Sequence, residues 1–234
     1  MDDSEHRQLT QRRPDNTLRI LQLTDIHQFP LGTTSWTNGR GRRVDLVAEG
    51  YSAERNKQLV ATLAAKVDPD LVIFTGDIID GRPFGALGPG TGKDSWRPAF
   101  EELIAPLLSS SPPIPWTFCP GNHDDDDSPW DRADLLEIFR LPGCLTPEAQ
   151  SFDHTLTVGF CPSAEVTPCA RLWLFDSGGN DSHTRYGTFQ PATVASIKAR
   201  ARTTSLPASR CRALARSSDT CHRPVRFEFL CIEV

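Results

Sequence analysis

Short apolar runs that end abruptly in Asp, Asn and His constrain this chain more than any other feature. Leu71-Val72-Ile73-Phe74-Thr75 is continuous and apolar, as a strand buried on both faces requires, and it stops at Gly76-Asp77. Leu18 to Thr24 alternates as a strand and stops at Asp25-Ile26-His27. Pro115 to Cys119 reads as a third strand, with Pro at the first position where a missing N–H is tolerated, and stops at Gly121-Asn122-His123. Phe152 to Val158 alternates as well, and Arg171 to Phe175 ends at Asp176. Helical patterns lie between these runs. Ser52 is placed to cap a helix over Ala53 to Val67, whose Leu59, Val60, Leu63, Ala64 and Val67 fall on one face. Further helices are expected from about Trp96 to Leu108, from Ser128-Pro129 to about Phe139, and from Pro191 to about Arg202. Strand, polar loop and helix in repetition predict an α/β fold with a sheet covered on both faces. Ligands of such sheets bind outside the carboxyl ends of the strands. The four polar strand ends, Asp176 included, are therefore expected to converge in space.

Charge is distributed unevenly. Residues 1–197 carry a net −10 and residues 198–226 a net +7, within an overall −5. An acidic body suits a cation and disfavours a nucleic-acid groove. The basic stretch is rich in Ser and Thr and lacks interleaved aromatics until Phe227, so it reads as a poorly ordered tail over 201–234; residues 1–17 read as a disordered polar tail. The body between them, 18–200, is the expected domain. No apolar run reaches the roughly 18 residues of a membrane span, and the acidic opening Met1 to Glu5 does not resemble a secretory leader, so a cytoplasmic location is expected. Seven Cys without C-x-x-C spacing read as free thiols rather than a zinc ribbon or redox motif.

Asp25-x-His27 places a carboxylate and an imidazole two residues apart, and so on one side of a strand terminus. Asp77 adds a second carboxylate. Asn122 and His123 add an amide oxygen and an imidazole. Such oxygen and nitrogen donors fit Mn, Fe or Zn rather than a soft thiolate metal. The set Asp25-x-His27, Gly76-Asp77-x-x-Asp80 and Gly121-Asn122-His123-Asp124 resembles the calcineurin-like metallophosphoesterase superfamily, whose pattern is D-x-H, G-D-x-x-D, G-N-H-[DE], a lone His and G-H-x-H. Purple acid phosphatases carry Tyr where this chain has Asp80, so the resemblance is to the non-purple branch. It implies a layered β-sheet sandwich flanked by helices and a phosphatase with two divalent or trivalent metal ions. Asp25 and His27 would bind the first metal, Asp77 would bridge both, and Asn122 would bind the second. His123 would face the scissile phosphate and assist the leaving group. The two ions would lower the pKa of a bridging water and clamp the phosphoryl oxygens of a phosphoester substrate for in-line attack, with a metal-bound hydroxide as nucleophile. Asp80 is read either as a strand-end turn residue or as a group orienting a ligand.

One departure from the pattern is large. G-H-x-H is absent, and the only His after His154 are His183 and His222. His222-Arg223-Pro224 resembles the lone-His block only faintly. From about Arg202 the apolar periodicity is lost, so the fold's C-terminal strands are expected to be missing. The alternative to a phosphatase is therefore a truncated, catalytically impaired pseudoenzyme or binding module of the same fold. His154 shares strand parity with Phe152, Leu156 and Val158 and is expected in the core; His183 is expected in a solvated loop. Asp124 to Asp127 lack EF-hand spacing and read as an acidic turn, with Asp124 placed to steady His123. Gly88 to Asp94 fails as a P-loop, since Leu87 stands where Gly is needed and Asp94 where Ser or Thr would hold Mg²⁺. The oligomeric state is left open.

Overall fold

In chain order the computed structural model runs β1 (Gln8–Thr10), β2 (Thr17–Thr24), β3 (Ser35–Thr37), β4 (Arg43–Asp45), α1 (Ala53–Val67), β5 (Leu71–Thr75), α2 (Lys93–Leu108), β6 (Trp116–Cys119), a 3-10 turn (Arg132–Asp134), α3 (Leu135–Phe139), β7 (His154–Phe160), β8 (Thr167–Leu174), α4 (Pro191–Thr203) and β9 (Arg226–Glu233). It describes residues 8–10, 13, 17–37, 40–80, 93–125, 132–146, 152–160, 167–179, 191–203 and 226–233. A four-stranded sheet has the order β6-β5-β2-β9, with every neighbouring pair parallel. A second sheet has the order β1-β7-β8, and β3 with β4 forms a small antiparallel hairpin.

Side-chain alternation along the central strands builds two cores. Leu18 and Ile20 of β2, Leu71 and Ile73 of β5 and Cys119 of β6 face the second sheet, where Leu156 and Leu174 meet them. The odd-numbered partners on β2, Leu21 and Leu23, face the opposite way, with Val72, Phe74, Trp116 and Phe118. That side is covered by Val60 and Ala64 of α1, by Trp96, Phe100, Leu103, Ile104 and Leu107 of α2, and by Leu135, Ile138 and Phe139 of α3. The result is the expected α/β sandwich of two sheets flanked by helices. Phe100 anchors the helical side, with ring centroids 4.6 Å from Phe139 and 5.2 Å from Trp116, both edge-on. Fully burying one such ring contributes roughly 1.5–3 kcal/mol. Helix α1 begins as expected, the Ser52 hydroxyl accepting from Arg55 N, and ends at Asp68 in a left-handed conformation.

Several expectations are corrected. The tail assigned to 1–17 contains β1, which pairs in parallel with β7. Arg13 also lies within it, donating from Nε to Asp70 at 3.0 Å and from Nη2 to the Asp68 carboxylate at 2.7 Å. Backbone pairing at a sheet edge needs no apolar pattern, so a polar segment gave no sign of it. The tail assigned to 201–234 is corrected at 226–233, which form β9 at the edge of the four-stranded sheet. β9 pairs with β2 over the whole of that strand, from Thr17↔Arg226 to Thr24↔Glu233. Its Phe-Glu-Phe-Leu-Cys-Ile sequence has strand propensity that the Arg- and Ser-rich stretch before it obscured. The helix expected from Ser128 is a 3-10 turn followed by the short α3, while residues 126–131 lie outside the described residues.

His154 sits where strand parity placed it, buried between the sheets. Its Nδ1 lies 2.6 Å from the Phe152 carbonyl, which can only accept, so Nδ1 carries the proton. Nε2 then accepts from Thr117 Oγ1 at 2.8 Å, and Thr117 Oγ1 lies 3.0 Å from Thr146 Oγ1. Burial lowers the His154 pKa below its ordinary 6.5. The unfolded chain therefore takes up the proton first, so the stability held by neutral His154 is complete above 6.5 and is lost as pH falls through the folded-state value. The denaturation midpoint should fall more steeply below pH 6.5 for the natural chain than for His154→Gln, which cannot titrate. Parallel pH profiles in urea melts would show this assignment to be wrong.

Candidate metal centre

Backbone pairing between β2 and β5 continues past the ends of both strands. Asp25 N donates to Gly76 O at 3.1 Å, His27 N to Asp77 O at 2.8 Å, and Gln28 N to Ile78 O at 2.8 Å. The two chain ends thus leave the sheet together. Asp25, His27 and Asp77 all adopt positive φ, at 57°, 49° and 49°; among the described non-glycine residues the only other such case is Asp68, at the end of α1. Left-handed backbone at a non-glycine residue costs roughly 1–3 kcal/mol and persists where surrounding structure imposes it. Here the cross-strand hydrogen bonds impose it. Helix α1 supports the first turn, since Asn56 Nδ2 donates to Ile26 O at 3.3 Å and to Gln28 Oε1 at 2.9 Å. Tyr51 Oη accepts from Phe29 N at 2.6 Å, and burial pushes its pKa up to about 12.

The turns bring Asp25, His27 and Asp77 together, each with a ligand atom within 4.8 Å of the other two. His27 Nε2 lies 3.9 Å from Asp25 Oδ1 and 3.8 Å from Asp77 Oδ2. Asp80, 1% exposed, faces the other ring nitrogen, with Oδ2 3.4 Å from His27 Nδ1. This arrangement turns Nε2 toward the two carboxylates, and it places Asp80 behind the ligand atoms rather than among them. Thr24 Oγ1 donates to Asp25 Oδ2 at 2.6 Å and so orients that carboxylate. Two carboxylates and one imidazole converging at this spacing fit a borderline divalent or trivalent ion. Asp25, Asp77 and Asn122 also line one cleft of about 570 Å³ at the carboxyl edge of the sheet, bounded across from them by Leu172 to Phe175.

The Gly121–Asp125 turn delivers Asn122 and His123. A Cβ at Gly76 would stand 2.7 Å from Gly121 Cα, and a Cβ at Gly121 would fall on the carboxylate and backbone nitrogen of Asp77. Only glycine at both positions permits the two turns to touch. His123 N donates to Asp77 Oδ1 at 2.9 Å, and its ring centroid lies 5.6 Å from that of His27. Asp124 is fully buried, its Oδ1 accepting from Ile78 N and Ile79 N at 2.9 Å each and its Oδ2 from Gly121 N at 2.6 Å. It steadies the turn through backbone donors rather than through the His123 ring. Burial raises its pKa to about 7 against the pull of those donors.

The four strand ends converge as expected, the end of β8 lining the same cleft as Asp25, Asp77 and Asn122, but Asp176 does not join the Asp25, His27 and Asp77 group. Asp176 instead takes the guanidinium of Arg132, with Nε to Oδ2 at 2.8 Å and Nη2 to Oδ1 at 2.6 Å. Burial opposes the charge of Arg132, and the hydrogen bonds and charges of Asp176 and Asp125 more than restore it, leaving its pKa raised. Neither Arg132 nor Thr24 stood out in the sequence, because an Arg near a helix start and a Thr at a strand end are commonplace. His183, His222, Asp126, Asp127 and residues 88–92 of the failed P-loop segment lie outside the described residues, while Lys93 and Asp94 open α2. No described helix is long and apolar enough to cross a membrane.

The model of the family described as calcineurin-like phosphoesterase matches residues 18–222. A protein of Arabidopsis thaliana named "Probable inactive purple acid phosphatase 29" is 27% identical over 142 residues, covering 57% of this chain and 32% of that protein. The chain thus spans about a third of the length of this relative. The crystal structure of a dimetal phosphatase from Danio rerio aligns over 78% of this chain and 51% of its own, at 17% identity and a TM-score of 0.43. The close approach of the turns yields a prediction of its own. Gly121→Ala should displace Asp77 and weaken Mn²⁺ binding by about 10–100-fold, read by titration with electron paramagnetic resonance. Binding at the natural affinity would contradict the crowding.

Proposed function

The chain belongs to the calcineurin-like phosphoesterase family, and from that premise we propose that it hydrolyses phosphoesters at a two-metal site held by Asp25, His27, Asp77 and Asn122. The observation that carries this reading is the meeting of Asp25, His27 and Asp77 ligand atoms within 4.8 Å. Asp25 and His27 would hold the first ion, Asp77 would serve both, and the Asn122 side-chain oxygen would serve the second. When bound, the ions supply Lewis acidity at the phosphoryl oxygens and an activated water for in-line displacement. The chain's own groups do the remainder. Asp80 and Thr24 hold the ligating faces of His27 and Asp25 in place before any ion arrives, which limits reorganisation on binding. His123, tethered through its N–H to Asp77, stands beside the metal ligands and donates a hydrogen bond or proton to the departing oxygen. Mn, Fe and Zn all match the oxygen and nitrogen donors. In this reading the enzyme is cytoplasmic.

A second reading is an impaired member of the same family, with the first ion held and the second held weakly. The absence of G-H-x-H favours it, since the second ion then draws only on Asp77, Asn122 and water. Such oxygen-only coordination binds borderline metals less well than imidazole does. The name of the Arabidopsis thaliana relative points the same way.

Metal analysis and kinetics on an activated aryl phosphate separate these roles. With hydrolysis present, His123→Ala should lower turnover by about 10²–10⁴-fold while keeping its metal. Asp77→Asn should lose metal and turnover together. Equal metal loss in both variants would refute the division of roles. Two tightly held ions per natural chain with robust turnover would exclude the impaired reading, whereas one ion and negligible turnover would favour it.

A further inference from the structure

Arg132 is half-way between two parts of the molecule that the metal ligands do not join. Its guanidinium makes five hydrogen bonds, one from each N–H it possesses. Nη2 donates to Pro120 O and Nη1 to Gly121 O, both at 3.0 Å, immediately before Asn122 and His123. Nη1 also donates to Asp125 Oδ1 at 2.8 Å, two residues after His123. The turn that carries Asn122 and His123 is therefore gripped on both sides. The other end of the grip is Asp176, bound by two parallel N–H bonds just after β8.

Asp176 is itself fixed. Its N–H donates to Asp153 Oδ1 at 2.9 Å, its Oδ1 accepts from Gly178 N at 2.8 Å, and Asp153 Oδ2 accepts from Thr193 Oγ1 of α4 at 2.9 Å. A Cβ at Gly179 would stand 3.3 Å from the Asp125 carboxylate and 3.4 Å from Arg132 Nη1, so the loop after β8 packs closely over the grip. The side chain of Arg132 is only 18% exposed, which leaves little water to compete with these bonds.

We infer that Arg132 is a positioning residue, fixing Asn122 and His123 over the metal site by clamping their turn to the carboxyl end of β8 in the second sheet. The catalytic part of this inference rests on the proposed phosphoesterase function; the positioning part does not. Lysine keeps the charge but offers three donors from a single nitrogen, and it cannot span two carbonyls and two carboxylates at once. Loss of an outer partner of this kind typically costs about 10–100-fold in metal affinity or activity.

The test compares the full natural chain with Arg132→Lys. In the metal-free chains, the His123 ring resonances should shift or broaden in the variant while those of His154 stay in place. With Mn²⁺ and an activated aryl phosphate, kcat should fall by about 10–100-fold with a much smaller change in KM. Unmoved His123 resonances would overturn the inference, and so would displaced resonances accompanied by an unchanged kcat. A lowered melting temperature as the sole effect would also overturn it, reducing Arg132 to a stabilising residue. If the natural chain shows no hydrolysis, the phosphoesterase reading fails separately. The His123 resonances then decide the positioning role, supported by weaker Mn²⁺ binding in the variant.

Discussion

Contact between the backbones at Gly76 and Gly121 sets the geometry of everything around the candidate metal centre. These residues end consecutive parallel strands, and a side chain on either would hold the two turns apart. With the turns in contact, the Asp77 carboxylate reaches the N–H of His123, and the Asp124 carboxylate reaches back to the N–H groups of Ile78, Ile79 and Gly121. Each turn thereby supplies an acceptor for the other's donors. Buried backbone N–H groups need such partners, and an unmet one costs about 1–3 kcal/mol. The reciprocal bonds let two tight turns, one with left-handed Asp77, persist side by side.

Crowding acids in this way raises an electrostatic difficulty that the fold answers locally. Asp124 is surrounded by backbone donors, and Asp176 and Asp125 share Arg132. Asp80 faces the rear nitrogen of His27. Among the described residues, the acids that remain directed at the cleft are Asp25 and Asp77, grouped with His27. Two carboxylates and an imidazole at this spacing offer a cation three ligand atoms. The charge arrangement agrees with the metal dependence expected of the family to which the chain belongs.

Two sheets with different roles support the centre. The parallel sheet supplies the ligands from the ends of β2, β5 and β6, and its helix-covered side gives it rigidity through the Phe74, Phe100, Trp116 and Phe118 cluster. Among the described residues, the second sheet supplies no member of the grouped ligands. It meets the first through Leu18, Ile20, Leu156 and Leu174 below and through Arg132 and Asp176 above. The site's precision therefore depends on the packing of the two sheets and not on the ligand-bearing strands alone.

The sequence by itself determined the strands β2, β5 and β6, because a strand buried between layers must be apolar and its polar end is then conspicuous. It determined helix α1, whose cap and apolar face are both local signals, and it picked out Asp25, His27, Asp77, Asn122 and His123 as a set. The core position of His154 was also legible, from strand parity. Tertiary structure alone decided what depends on partners far along the chain. β1 and β9 have their places because other strands offered them hydrogen bonds: the short polar β1 carries no pattern of its own, and the strand propensity of β9 was obscured by the Arg- and Ser-rich stretch before it. Asp176 belongs to Arg132 and not to the ligand set because of where the second sheet puts it, 44 residues along the chain from its partner. Asp124 serves the backbone of a neighbouring turn, which a motif cannot express. Local chemistry is written in residue types and spacing; the choice among several acids for one cation is settled by which of them the fold has already given another partner.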